Sequence, residues 1–225
     1  MPVVVPTLEV EQELFASGTR LVIGCDEVGR GALAGPVAVG MAVIDHTVAR
    51  VPDGLRDSKL LSEPRREAMA PVAEAWALYS AVGMASASEV DELGITACLG
   101  LAGKRALTAL HELGVEILAS TVVLDGAHDW LNPALTTRLR VVTRVKADRD
   151  CGSVAAASVI AKVRRDRLMI EAHAAEPVYG WSGNKGYGSA AHLAAIDEHG
   201  PSGLHRLSWL KVGAVATESR KTPLA

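Results

Sequence analysis

Four acidic residues, far apart in the chain, could act together on a phosphate: Asp26 and Glu27 side by side, then Asp125 and Asp148. Each falls at or just beyond the end of an apolar run of strand character, so neighbouring strands would deliver the carboxylates to one edge of a sheet. A carboxylate removed from water needs a partner, a metal ion or a proton. Four hard oxygen donors with no histidine among them suit Mg²⁺ or Mn²⁺. Two such ions about 4 Å apart can activate a water and clamp a phosphodiester for in-line displacement. Plainer readings stand beside this one. Asp26 and Glu27 also fit a strand-end turn paired with Arg30, Asp125 an Asp-Gly turn, and Asp148 an acid at a helix start.

The elements that must carry these acids follow from apolar patterning. Leu21 to Cys25 predicts a buried strand that ends in Asp26 and Glu27. Successive strand residues face opposite sides, so the two acids converge only if Glu27 has left the pleat; Gly29 and Gly31 ease that departure. Gly35 to Ile44 predicts a second strand, hairpinned to the first, with Pro36 at its start. Leu78 to Ala85, Thr121 to Leu124 and Leu139 to Val145 give three more. Between them, Thr7 caps a short helix to Phe15, and Ser62 with Pro64 opens a helix to Trp76 that is bent or interrupted at Pro71. Ser88 to Leu113 divides into two helices near Gly94 and Gly100. The alanine-rich stretch Ser153 to Ile170 is the strongest helix, with small residues that let it lie close to the sheet. A glycine-rich loop from Gly180 to Gly188, a helix from Ser189 to His199 and a segment from Leu207 to Val212 follow, and Thr217 to Ala225 is polar and loose. The pattern predicts an α/β fold, a mixed sheet of about five strands flanked by helices. It is expected to form a single domain over residues 1–225, with 177–225 as a C-terminal extension of helices and loops.

Composition narrows the function. The 225 residues carry a net charge of −3 and only 4% aromatic residues, so any phosphate binding must come from a local patch rather than a global basic field. Cys25, Cys98 and Cys151 are widely spaced with no C-x-x-C pair, which argues against a zinc site or a disulfide framework. The longest apolar runs are too short to span a bilayer, and no basic-then-apolar leader opens the chain. A cytoplasmic protein without a membrane partner is expected.

The same residues carry a resemblance. Gly24-Cys25-Asp26-Glu27-Val28-Gly29-Arg30-Gly31, followed by Ala34-Gly35-Pro36-Val37, resembles the signature of the ribonuclease HII family. Asp57-Ser58-Lys59-Leu60, Leu124-Asp125-Gly126, Lys146-Ala147-Asp148 and the helix Ser153 to Ser158 with Ala161-Lys162-Val163 match further elements of that family in order. Asn184-Lys185-Gly186-Tyr187-Gly188 and His205-Arg206 complete a match that spans Leu21 to Trp209. The tail Leu207-Ser208-Trp209 departs from the family pattern, which often has a second arginine and a phenylalanine. The resemblance implies an RNase H-like fold, and endonucleolytic cleavage of RNA paired with DNA or of ribonucleotides embedded in duplex DNA, leaving a 3′-hydroxyl and a 5′-phosphate. Asp26, Glu27, Asp125 and Asp148 would then be catalytic metal ligands. Asp166 is a rival for the fourth place, although its spacing four residues after Lys162 fits a surface ion pair.

Such an enzyme must sense the 2′-hydroxyl, the group by which RNA differs from DNA. Gly29 and Gly31, lacking Cβ atoms, would let backbone groups approach the minor groove while Arg30 neutralises phosphate. Tyr187 would stack on sugar or base beside the cleaved bond. Ser58, Lys59 and Lys185 are further candidate phosphate contacts, whereas His192, His199 and His205 read as capping or packing residues. Rival readings are a ribonuclease HIII-like nuclease, a catalytically silent nucleic-acid-binding module, and a metal-dependent phosphatase with a closed pocket.

Overall fold

The computed structural model describes residues 5–210. Its five-stranded sheet has the order β3-β2-β1-β4-β5 and comprises β1 (Leu21–Val28), β2 (Val37–Asp45), β3 (Tyr79–Ala85), β4 (Ser120–Asp125) and β5 (Arg140–Arg144). β1 pairs antiparallel with β2 and β2 with β3, whereas β1, β4 and β5 are mutually parallel neighbours. The sheet is therefore mixed, as expected. Eight helices accompany it among the described residues: α1 (Glu9–Ala16), α2 (Glu63–Trp76), α3 (Ala87–Leu93), α4 (Ile95–Glu112), α5 (Ala147–Asp150), α6 (Gly152–Ala175), α7 (Trp181–Asn184) and α8 (Ala190–His199).

Strand β2 is apolar throughout because both its faces are covered. On one face Ile23, Val39, Met41 and Val43 pack with Leu99, Ala102, Ala106 and Leu110 of α4. On the other, Ala42 packs with Ala156, Val159 and Ile160 of α6, and Val22 and Ile44 with Val154. Close approach of α6 depends on glycine at 24 and 40, where a Cβ would run into the backbone of Ser153 and Ala157.

Several expectations are corrected in detail. β1 continues to Val28, so Asp26 and Glu27 lie inside a strand, opposite Gly40 and Val39, and Glu27 has not left the pleat. The reason is the hairpin: β2 offers partners beyond the point where pairing with β4 stops, at Cys25 and Leu124. α2 runs through Pro71 without interruption; Pro71 is exposed, on the side where a carbonyl deprived of its amide partner can turn to water. The break between α3 and α4 occurs only at Gly94, at φ +80°. Gly100 is instead a packing residue of α4, facing Ala134 and the Trp130 carbonyl. The N-cap of α1 is Leu8 and not Thr7, which stands one position earlier, accepts the Glu9 amide on its hydroxyl at 3.4 Å and bridges to Cys151. The Gly180–Gly188 loop contains α7, and residues 177–210 wrap a small cluster of Tyr179, Trp181 and Ala195 with Met169 of α6 and Ala34. The expectations for Val212 and for Thr217 to Ala225 lie outside the described residues.

Candidate metal centre and nucleic-acid interface

The pleat fixes where the acids point. Asp26 shares the α6 face of the sheet with Val22 and Gly24, and Asp125 shares it with Val123, each one residue past the last β1–β4 pair. Glu27 alternates to the other face but stays at the same end of β1. The Asp125 Oδ1 accepts a 2.7 Å hydrogen bond from the Ala147 amide and so seats α5, which begins after Lys146 in the left-handed region and presents Asp148. Asp148, buried, accepts from the Lys59 ammonium at 3.1 Å. Lys59 stands on the turn that follows Asp57, whose Oδ1 takes the Lys59 amide.

Three of these carboxylates are shifted by their surroundings. Burial pushes Asp26 well above the usual carboxylate range; Lys59 and the nearby Ser158 hydroxyl oppose this, while Glu27 and Asp125 add to it. Burial likewise raises Glu27, against the pull of Arg30, and Asp125 contributes to the rise. Asp148 is raised by burial and by the charges of Asp125 and Asp57. Lys59 is raised despite burial because Asp26, Asp148 and Asp57 surround it. Two carboxylate oxygens of this cluster, Asp26 Oδ2 and Asp57 Oδ2, are buried without a hydrogen-bond partner; Asp57 Oδ2 has the Arg149 guanidinium at 3.5 Å, and Asp26 Oδ1 accepts from the Glu27 amide. An oxygen-only set with an unpartnered, desolvated carboxylate oxygen at its centre fits a hard divalent cation. Among the described residues no three such side chains already form a coordination cage. Arg30, 3.3 Å from Glu27, and Lys59 supply the local positive charge, and both side chains are more than half exposed.

Asp166 belongs to a different group. It is buried, not on the surface, and bonds Lys162 at 2.6 Å with Arg66 at 3.8 Å. An acid already matched by two cations is a poor fourth ligand.

The loops around Gly29 and Tyr187 are held by buried arginines. Arg165 donates to the carbonyls of Pro36, Lys185 and Ala34 at 2.8–3.0 Å. Arg206 donates to those of Gly29, Arg30 and Gly35 at 2.7–3.2 Å. Together they tie the Gly29-Arg30-Gly31 turn to the loop bearing Tyr187, which is also joined by Leu33 and Ala34 amides donating to the Gly186 carbonyl. Tyr187 is partly exposed, with the Arg165 guanidinium 5.4 Å and the Lys162 ammonium 5.6 Å from its ring centre. Gly29 and Gly31 differ in role. A Cβ at 29, where φ is +81°, would strike the Arg165 guanidinium, whereas at 31 it meets open space.

Two proposed phosphate contacts are placed otherwise. Lys185 is buried, its ammonium held by Glu63 at 3.1 Å and by the Ser182 carbonyl. Ser58 is buried too, accepting from the Ser158 hydroxyl at 2.8 Å. Nothing in the sequence pattern marks Arg165 or gives Arg206 a role of its own, because arginine is usually a surface residue. The glycines around residues 29–36 and 186 were the available signal, since irregular backbone needs donors for its carbonyls.

The ribonuclease HII family model matches residues 23–212. The chain belongs to the ribonuclease HII family. It is 47% identical over 219 residues to ribonuclease HII of Streptomyces griseus, covering 96% of this chain and 88% of that one. Identity to the Streptomyces avermitilis ribonuclease HII is 45% over 216 residues, with the same coverage. The crystal structure of the ribonuclease H2 from Pyrococcus horikoshii superimposes with a TM-score of 0.65 at 26% identity, covering 84% of this chain and 93% of that one. The RNase H-like architecture is thereby established, and family membership makes the protein a ribonuclease H-type endonuclease. No helix among the described residues is long and apolar enough to cross a membrane.

Proposed function

We propose that this protein incises both RNA–DNA hybrids and single ribonucleotides embedded in duplex DNA, leaving 3′-hydroxyl and 5′-phosphate ends. Asp26, Glu27, Asp125 and Asp148 would hold Mg²⁺ or Mn²⁺, two ions during turnover. Bound there, the ions supply Lewis acidity to the scissile phosphate and a more acidic water. The observation that carries this reading is the partnerless, buried Asp26 Oδ2, facing the side of the sheet that Asp125 shares. Burial keeps these carboxylates costly to ionise, so a cation is the partner that best relieves them.

The chain's own groups orient the substrate. Gly31 leaves backbone open to a close-lying strand, Arg30 offers a half-exposed guanidinium to phosphate, and Lys59 does the same from the other side of the acids. Tyr187 presents its ring beside the turn that Arg206 holds, a geometry suited to stacking next to a 2′-hydroxyl. Ser58 and Lys185 support this surface from beneath, and Asp166 is left out of the metal centre.

The test is cleavage of three duplexes, one with a single ribonucleotide, one with an all-RNA strand and one of DNA alone, each with Mg²⁺, Mn²⁺ or chelator. Incision of the first two with either ion and of none with chelator is expected. Full activity in chelator, or an intact lone ribonucleotide, overturns the corresponding part of the reading.

A further inference from the structure

Two histidines that packing alone would explain form a directed chain of hydrogen bonds ending on Tyr187. His192 and His205 are buried, with their Nε2 atoms 3.1 Å apart. The Ser202 amide donates to His205 Nδ1 at 2.9 Å, so that nitrogen carries a lone pair and the proton sits on Nε2. His205 Nε2–H therefore donates to His192 Nε2, which also receives the Trp181 indole N–H at 3.1 Å. An Nε2 that accepts leaves the proton on Nδ1, and His192 Nδ1–H donates to the Tyr187 carbonyl at 2.9 Å. The Ser202 amide thus fixes the tautomer of His205, the Trp181 indole and the Tyr187 carbonyl fix that of His192, and the two agree on the direction of the bond between the rings. Burial, then neighbouring His192, pushes His205 down to about 4, in keeping with a neutral His205 ring.

Tyr187 needs such a hold. It lies between Gly186, at φ +85°, and Gly188, so its flanking backbone has little torsional restraint of its own. Its carbonyl accepts from His192 and from the Ser189 amide, which fixes the peptide plane that follows the ring. The aromatic wall of Tyr179 and Trp181, stacked at 5.0 Å, keeps water from the pair.

We propose that His192 and His205 are positioning residues for substrate recognition, a buried, tautomer-locked pair that sets the angle at which the Tyr187 ring meets nucleic acid. This inference rests on the proposed role of Tyr187 as a reader. The experiment measures kcat and KM on a duplex with one ribonucleotide, with melting curves to verify folding. Tyr187→Ala is expected to lower kcat/KM about tenfold, mainly through KM. His192→Gln, which can imitate Nε2 but not the Nδ1 donor, should lose about fivefold alone and nothing further beside Tyr187→Ala, as for residues acting through one another. His192→Asn, whose amide can still reach the Tyr187 carbonyl, should stay within about twofold of wild type, since the donor is retained. A His192→Gln variant with normal kinetics, or one whose loss is equal in both backgrounds, overturns the inference while leaving Tyr187 a reader. A neutral Tyr187→Ala removes the reader itself, and the inference with it. Long-range nitrogen–proton NMR of the wild-type protein, which needs no variant to fold, should find His205 protonated on Nε2 and His192 on Nδ1; the reverse pattern also overturns it.

Discussion

The two halves of the site are built on opposite principles. At the strand ends, carboxylates crowd together, Asp26 and Asp148 buried and Glu27 and Asp125 half-buried, and Asp26 Oδ2 is left without a hydrogen-bond partner. A few residues away, the loops of Gly29 and Tyr187 are tied down by two buried arginines and a histidine pair that between them satisfy seven carbonyls: those of Pro36, Lys185, Ala34, Gly29, Arg30, Gly35 and Tyr187. The contrast separates two tasks. On the proposed reading, a centre that receives cations gains from unmet demand, whereas a surface that measures a sugar gains from having its shape determined before substrate arrives.

That contrast can be broken at either end. Asp26→Asn or Asp125→Asn should reduce cleavage by about three orders of magnitude or more, as expected when a charge-stabilising group is lost, while the protein still folds; near-normal turnover would remove that acid from the centre. Arg206→Ala should act on the other half, destabilising the protein by roughly 3 kcal/mol or more because buried carbonyls lose their donors; urea denaturation with an unchanged midpoint would contradict it. Gly29→Ala should be similarly harmful, through both its backbone angle and its collision with Arg165.

Smaller effects sharpen the division. Because burial raises Asp26, Glu27 and Asp148, the folded protein keeps protons that the unfolded chain has already released. Stability without metal must then fall as pH climbs from the ordinary carboxylate range through those raised values. Asp26→Asn should flatten that fall and raise the melting temperature in chelator above pH 7, whereas a variant that melts lower would mean Asp26 is satisfied after all. Lys59→Ala should lower the dependence of substrate affinity on salt by about one counterion, while Lys185→Met should leave that slope alone. Equal slopes for the two would erase the distinction between exposed and buried lysine. The smallest change is expected for Gly31→Ala, which should melt as wild type does and show any defect only with substrate bound.

Much of the frame is legible in the chain because periodicity and apolar runs register directly in sequence. The five strands, the division at Gly94 and the alanine-rich α6 are all there to be read. What escapes is decided by partners distant in sequence. Glu27 stays in a strand because β2 pairs with it, Gly100 stays in a helix because Trp130 and Ala134 press on it, and Asp166 is buried because Arg66 comes from α2. Of the candidate site, the acids and Tyr187 stand out by type and glycine context, and their roles are proposals drawn from geometry. Arg165, Arg206, Ser58 and Lys185 look like surface polar residues until tertiary structure buries them.

The bridge from Thr7 to Cys151 gives the beginning of the chain a hold on the far end of the site. The Thr7 amide donates to the Asp150 carbonyl and its own carbonyl takes the Gly152 amide, while Glu11 from α1 accepts both the amide and hydroxyl of Ser153. The short helix bearing Asp148 is thus moored from behind by a segment about 140 positions earlier. Trimming by an aminopeptidase through residue 11 would therefore blunt catalysis without touching a single acid of the centre.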